Sequence, residues 1–599
     1  MKQTIFLTVF LCFNSLLPLP IKAEQRWNVG DVEFRGNQAI SDEELLANMN
    51  TTPPRFLLRE EYSFSKLDRD INNIELVYKT RGYPFVTVSI YDIERDTATM
   101  SVNITLNIDE GPLVLIDSVI IKNSDVLSLP EVYSIISLRP QMPLDTLGVY
   151  NDARTIRDSL RAKGYLQARV ESRQTIDKQD TTAIITHTIS EGPIIIVDEI
   201  FITGLKRVDT NVVRRELTFK KGTVLTSSEI IESIRRTYST ALFNVIRIIP
   251  DTSLNRPDLC TAVVAVTVDI REAPFASAQA GFGYDTEEKF HSSLIASYRN
   301  IIGRGHRLSL LGRASQRIRN VQLTYSWPWF MSYPVWADFS VYAERRREEE
   351  FSGDFEGGII AFRTQVTPNL MYNFWTRIER TEWTVEPPPD QLFPLMPISP
   401  NHVIAAALTY DTRYELINPG FSSLTFIQAE VAGLSGFGNQ YVKLQFDIRC
   451  YYPIAERLTF SSALLTGYAF PYGDNVTVPP RERFRAGETP IRDVRGYLLE
   501  EVTPLDDDEF LRGGNFIVIL NLAEIEYSVT QGLSAAVFVD AGNVWSSVDD
   551  FSMETLRWSA GAGLRVALPI GLTRLDFAVP FFPEIIFPGR FHLSLGLPF

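Results

Sequence analysis

From about Phe275 to Phe599 the chain is written in period two, and this feature constrains its fold more than any other. Val442, Leu444, Phe446 and Ile448 share one face of an extended segment, with Lys443, Gln445, Asp447 and Arg449 on the other. Successive side chains of a strand point to opposite faces, so the spacing reads as strand and not helix. The same alternation sets Phe339 and Val341 against Asp338 and Tyr342, Leu564 and Val566 against Gly563 and Arg565, and Leu575 and Phe577 against Arg574 and Asp576. A soluble sandwich also alternates, so three further features carry the choice. Segments of about ten residues suit tilted strands crossing a hydrocarbon layer. Aromatic residues gather at strand ends, as in Tyr325-Ser326-Trp327-Pro328-Trp329-Phe330, where an interfacial girdle belongs. Short turns alternate with longer polar excursions such as Gly473 to Glu488. The expected architecture of 275–599 is an antiparallel transmembrane β-barrel of about 16 strands, an even number as closure requires.

The amino-terminal half repeats. Glu110-Gly111-Pro112 returns as Glu191-Gly192-Pro193 and as Glu272-Ala273-Pro274, with 81 residues between successive glutamates. Gly82-Tyr83 is answered by Gly164-Tyr165, and the strand-like Val32-Glu33-Phe34-Arg35-Gly36 by Val119 to Asn123 and Ile200 to Gly204. Inside the first unit, Ser41 followed by Glu44 makes a capping box. Leu67, Ile71, Ile74 and Val77 give a longer amphipathic helix ending at Gly82, and alternating strands such as Met100 to Leu106 close the unit. The order β-α-α-β-β describes small α+β domains, with helices on one face of a three-stranded sheet, over 27–112, 113–193 and 194–274. A free sheet edge in each is a docking rail for another extended chain.

Residues 1–23 carry Lys2, an apolar run from Ile5 to Leu17, and Ala23 before Glu24, the pattern of a cleaved signal peptide. No later stretch has the 18 or more apolar residues of a spanning helix. With 58 Lys+Arg against 73 Asp+Glu, the net charge of −15 argues against nucleic acid as a partner. Three cysteines, Cys12, Cys260 and Cys450, make neither a disulfide framework nor a metal site. The five histidines lie in separate segments without metal-ligand spacing, and no nucleophile elbow, P-loop or dinucleotide fingerprint occurs, so no enzyme is expected.

Three such units ahead of a barrel resemble the POTRA-plus-barrel outer-membrane assembly factors, the BamA/TamA family, with three repeats nearer TamA in architecture. The sharpest motif is Val494-Arg495-Gly496-Tyr497, preceded by Phe484 and Ala486-Gly487, which is similar to the tip of the loop that folds into the lumen in that family. Glu488 departs from the second glycine common there. Val537 to Trp545 is similar to the family's strand with an inward aspartate, and by parity Phe538, Asp540 and Gly542 share a face. The resemblance implies that Arg495 pairs with Asp540, so Arg495→Asp with Asp540→Arg is expected to restore what either single change loses. Tyr410 to Arg413 with Asn418-Pro419-Gly420, and Gly513-Gly514-Asn515 ahead of Glu524 and Glu526, are weaker matches. Phe591, Leu593, Leu595 and Leu597 alternate with His592, Ser594 and Gly596 up to Phe599, which resembles the carboxy-terminal signal of outer-membrane barrels.

What the resemblance implies is a bacterial outer-membrane protein with periplasmic POTRA domains. It would receive unfolded outer-membrane or autotransporter-like clients, and insert or export them at a seam between the first strand, about Ser277 to Thr286, and the last. It implies an accessory protein in the periplasm or inner membrane, and no metal, nucleotide or cofactor. The competing expectation is a passive or two-partner-type channel with the repeats as spacers, recognised by a large constitutive conductance.

Overall fold

The computed structural model describes residues 27–596 except 54–59, 178, 252–259, 286–288, 348–350, 386–398, 414–419, 437, 474–476, 487–493, 505–511, 531, 569–570 and 584–588. The signal-peptide assignment, Gly487-Glu488, Asn418-Pro419, and Leu597 and Phe599 of the carboxy-terminal signal lie outside the described residues.

The first repeat runs β1 (Asn28–Arg35), α1 (Asp42–Ala47), α2 (Phe64–Thr80), β2 (Thr87–Asp96) and β3 (Ser101–Asp109). The second runs β4 (Leu115–Lys122), α3 (Leu129–Ile135), α4 (Thr146–Ala162), β5 (Arg169–Asp177) and β6 (Thr182–Ser190). The third runs β7 (Ile194–Thr203), α5 (Thr210–Arg214), α6 (Ser227–Ser239), β8 (Phe243–Pro250) and β9 (Thr261–Glu272). In each sheet the last strand is central, and it lies parallel to the first. Leu67, Ile74 and Tyr78 of α2 pack on Val102, Ile104 and Leu106 of β3, so the helices cover one face of the sheet.

Recurrent polar side chains close each unit. The Glu110 carboxylate accepts from the Ala39 amide at 2.8 Å, Glu191 from those of Asp125 and Val126 at 2.9 and 2.7 Å, and Glu272 from Lys206, Arg207 and Val208 at 2.8, 2.8 and 2.9 Å. Each glutamate therefore satisfies the loop after its unit's first strand, where backbone donors lack sheet partners. A second set escaped the sequence reading. Buried Asp70 accepts from the amides of Asn50 and Thr51, and buried Asp152 from those of Ser137 and Leu138. Ser233 takes the amide of Thr218 in the third unit. Two local expectations are corrected. Ser41 accepts from the Glu44 amide at 3.4 Å, but Glu44 pairs with Arg81, so its return arm is missing; Ser128 and Glu131 form the complete box instead. Met100 lies in the hairpin turn at φ 54°, and β3 begins one residue later.

Sixteen antiparallel strands, from β10 (Ala276–Asp285) to β25 (Arg590–Gly596), form the closed barrel. Each strand pairs with its sequence neighbour. Among the described residues, closure is made by Tyr284 opposite Leu595 and Asp285 opposite Ser594. The exposed faces are apolar, as with Val341 at 60% and Leu444 at 43%, whereas Asp447 on the opposite face is 2% exposed. The expected contrast between turns and loops is only partial. On the loop side, 315–317 is a three-residue link, and on the other side 328–335 spans eight. Segments 204–215 and 237–245 of the third repeat form one compact unit with the barrel. There the Asp209 amide donates to the Gly303 carbonyl at 2.8 Å, and Arg299 donates to Ala241 at 3.1 Å.

Candidate functional site: a loop docked inside the barrel

The segment between β20 (Leu458–Pro471) and β21 (Phe516–Thr530) enters the bore and fastens to the wall at two places. The first is the arginine of the Val494-Arg495-Gly496-Tyr497 motif, whose side chain is 9% exposed. Its guanidinium is bidentate to Asp540 on β22 (Leu533–Trp545), with Nε to Oδ2 at 2.6 Å and Nη2 to Oδ1 at 2.9 Å. Nη1 also donates to Glu524 of β21 at 2.8 Å and lies 3.4 Å from Asp576 on β24 (Gly571–Phe582). The same guanidinium sits 3.4 Å from the centroid of the Phe538 ring. Asp540 is fully buried and takes a third bond from Asn521 at 2.9 Å. Arg565, on β23 (Arg557–Leu568), bridges Asp576 and Glu524.

Such a cluster suits a buried site because every carboxylate oxygen taken from water meets a charged donor. It also corrects the charge-swap expectation. In the swapped protein the carboxylate introduced at position 495 would face Glu524 and Asp576 as well as the new arginine, so failure to rescue would not disprove the contact.

The rest of the motif is held just as closely. Gly496 has φ 96°, a region that favours glycine, and this turn aims its amide at His592 Nε2 of β25 at 2.7 Å. His592 accepts there, so it presents an unprotonated Nε2. The Tyr497 hydroxyl lies 2.7 Å from the Phe582 carbonyl and 3.1 Å from that of Trp558, with the ring buried. Val494 packs over Gly542, where an added Cβ would lie 2.8 Å from Val494 Cγ2 and 2.7 Å from the Val518 carbonyl oxygen. Glu501, just beyond the motif, pairs with Arg590 of β25.

The second anchor was not legible in the sequence. Arg481 pairs with Glu379 on β16 (Leu370–Val385), and its guanidinium sits 4.0 Å from the Phe355 ring of β15 (Phe351–Thr367). Glu482, also buried, accepts from Arg377 at 2.7 Å, with Lys443 at 3.9 Å. The sequence signal available was the run Arg481-Glu482-Arg483 inside a long excursion, and nothing local names its partners.

The structure separates the proposed seam residues by face. Phe591 points outward at 67% exposure and packs on Phe577 with centroids 4.7 Å apart, while His592 turns in toward the loop. Leu593 pairs with Leu575, and Leu595 with Thr573 and Tyr284. Asp411 and Arg413 pair with each other at 2.9 Å and stay outside the loop cluster.

A closed barrel with an internally docked loop, carrying three small β-α-α-β-β domains, defines an outer-membrane β-barrel with periplasmic repeats. Residues 300–599 match the Omp85 superfamily domain, and 28–111, 114–192 and 195–273 each match the POTRA unit described as the surface antigen variable number repeat. The chain belongs to the Omp85 superfamily. The outer membrane protein assembly factor BamA of Neisseria meningitidis serogroup B is 22% identical over 642 residues, covering 95% of this chain and 78% of that protein. BamA of Nitratidesulfovibrio vulgaris is 22% identical over 602 residues, covering 97% and 73%. A Treponema pallidum relative matches over 320 residues, 52% of this chain and 38% of its own length. In structure, BamA from Haemophilus ducreyi lacking POTRA domains 1-3 superposes with TM-score 0.63 at 19% identity, over 80% of this chain and 99% of that one. Three POTRA units match, and the Neisseria, Nitratidesulfovibrio and Haemophilus proteins are BamA proteins.

Proposed function

We propose that this protein receives unfolded outer-membrane or autotransporter-like chains on its POTRA domains and inserts or exports them at the seam between β10 and β25. The observation that carries the reading is how β25 is held. It pairs with β24 from Leu572 opposite Gly596 to Ala578 opposite Arg590, and it closes the barrel on β10 at Tyr284 and Asp285, the junction between the first strand and the last. Unpaired backbone groups cannot face lipid, so a seam of this kind is satisfied by any strand that adds to it. Strand addition uses backbone bonds and tolerates varied side chains, as a factor serving many clients requires. The free edges of β2, β5 and β8 suit the same mode of capture. No catalytic step, metal or cofactor belongs to this reading, and a periplasmic or inner-membrane accessory protein would deliver clients to the repeats.

Two loop anchors inside the bore disfavour a wide constitutive pore, the competing reading; a large steady conductance of the purified protein would restore it. The direct test is a disulfide across the seam, made by Tyr284→Cys with Leu595→Cys. Outer-membrane proteome assembly should fail in cells carrying the oxidised pair and recover with reductant. Normal assembly with the tether fully formed would refute the seam as the exit. Depletion of the protein, read against the same proteome, identifies the clients.

A further inference from the structure

The outward wall of β13 (Ile318–Trp327), β14 (Trp336–Arg347), β15 and β16 carries two adjoining depressions. Strand register aligns their residues in rungs. Leu323 lies opposite Val341, Val341 opposite Gly358, and Gly358 opposite Ile378. One rung nearer the β14–β15 turn stand Val321, Ala343, Glu356 and Arg380, and the next holds Arg319, Arg345, Asp354 and Glu382. Adjacent rungs are about 7 Å apart along the strands.

The lower depression, about 290 Å³, opens where Gly358 has no side chain between exposed Val341 and Ile378. A Cβ at Gly358 would meet only the Ser340 carbonyl oxygen, at 3.5 Å. The upper one, about 410 Å³, lies among the charged rungs. Its outward rungs hold three guanidiniums and three carboxylates, and pairing leaves Arg319 and Glu356, on different strands and rungs, without an ion pair among the described residues. Arg345 is bidentate to Asp354 at 2.6 and 2.7 Å, and Arg380 pairs with Glu382. Arg319 makes no ion pair among the described residues and faces Arg345 directly across the strands. Like charges directly opposite one another repel, and an anion seated between them removes the penalty.

Strand parity fixes the leaflet. β10 starts at the mouth beside segments 204–215 and 237–245, and β14, the fifth strand, starts at the same mouth and ends away from it. With the POTRA domains in the periplasm, the charged rungs stand at the external interface and the apolar trough runs beneath them into the outer leaflet.

We infer that this wall binds a phosphorylated amphiphile of the outer leaflet, its phosphate on Arg319 beside Arg345 and its acyl chain in the trough at Gly358. Neither feature alone needs a ligand. Together they offer a cation with no ion pair among the described residues, two rungs along the wall from an apolar slot whose direction matches a lipid chain. The inference is independent of what passes through the seam.

Binding of palmitoyl lysophosphatidic acid to the purified full-length protein in detergent, followed by native mass spectrometry, tests it. Arg319→Glu and Gly358→Leu should each weaken binding by about tenfold or more, the loss expected for one charged hydrogen bond or a filled slot. Leu444→Phe, on the lipid-facing side of β19 (Tyr441–Ala455) three strands beyond β16, should leave it unchanged. Glycerol phosphate, which lacks the chain, and palmitoyl glycerol, which lacks the phosphate, should both bind more weakly than the probe. Arg319 is at the surface, so its variant remains a fair test even if Gly358→Leu fails to fold. Equal binding by all variants would reduce the wall to ordinary lipid contact, and equal binding of glycerol phosphate would make it a soluble-phosphate site. Either result overturns the inference.

Discussion

Replacing Arg495 with leucine should release the loop, and the structure sets the size of the effect. The change keeps an aliphatic stem near Phe538 but removes a guanidinium touching three carboxylates. Glu524 and Asp576 would retain Arg565, whereas fully buried Asp540 would keep only the neutral Asn521 donor at 2.9 Å. Removing one partner of a buried ion pair costs about 3–5 kcal/mol. At roughly 1.4 kcal/mol per factor of ten, the undocked population should rise by about two to nearly four orders of magnitude. Limited trypsin digestion reads that population when reclosing is fast relative to cleavage, because Arg481, Arg483 and Arg485 lie in the same loop. Asp540→Asn should accelerate cleavage less, since Arg495 keeps Glu524 and Asp576. The double variant should be no worse than Arg495→Leu alone, because it also removes the stranded charge. Two results would refute this reasoning: cleavage of Arg495→Leu at the parental rate, or a double variant whose effect is the product of the singles.

Gly542→Val should also loosen the loop, by about 1–3 kcal/mol, because its side chain enters space held by Val494 and the Val518 carbonyl; the same digestion measures it. Arg481→Ala should free the other anchor by a comparable mechanism, leaving buried Glu379 without its loop partner, and digestion should then cut first near Arg483. In the third POTRA unit, Glu272→Ala strands three backbone donors and should cost about 1–2 kcal/mol, read by hydrogen exchange over 206–208, while Glu272→Gln should lose less. His187 is buried against Ser172, and burial pushes its pKa below the ordinary value, with Asp152 partly opposing. The unfolded chain takes that proton near pH 6.5 and the folded one resists it. The second POTRA unit should therefore lose stability as pH falls below about 6.5, and His187→Gln should flatten that slope in exchange measurements at pH 7.5 and 5.5.

How much of this could be read from the sequence follows from the range of each interaction. The alternation at Val442 to Ile448 is local, since one strand's pleat assigns every second residue to lipid whatever its neighbours are. The Glu110, Glu191 and Glu272 markers were visible by their spacing, but their work was not. Each caps a loop more than sixty residues earlier in the chain. Asp70, Asp152 and Ser233 stayed hidden because a polar residue inside an amphipathic helix reads as a solvated face, and the third unit substitutes a hydroxyl for the carboxylate. Arg495 and Asp540 came from the resemblance of their motifs. Arg481 and Glu482 have no such motif, and their partners Glu379 and Arg377 lie about a hundred residues away on another strand. A pairing of that kind is set by barrel closure and leaves no periodic trace.

The two anchors bear on the seam because of where the second half of the motif lands. On its inner face β25 is gripped by the loop, through the Gly496 amide on His592 and through Glu501 on Arg590. On its outer edge it has Tyr284 and Asp285 of β10 among the described residues. Moving β25 away from β10 while β24 stays paired therefore drags on the loop before it disturbs the rest of the sheet. The loop resists through buried ion clusters, which are costly to half-break because any charge left behind is desolvated and unpaired. Resistance of this kind is steep: small displacements meet the full cluster, and larger ones lose it at once. In the proposed function, β25, gripped from within by the loop, stays shut at rest and opens as a unit once an incoming chain supplies backbone partners.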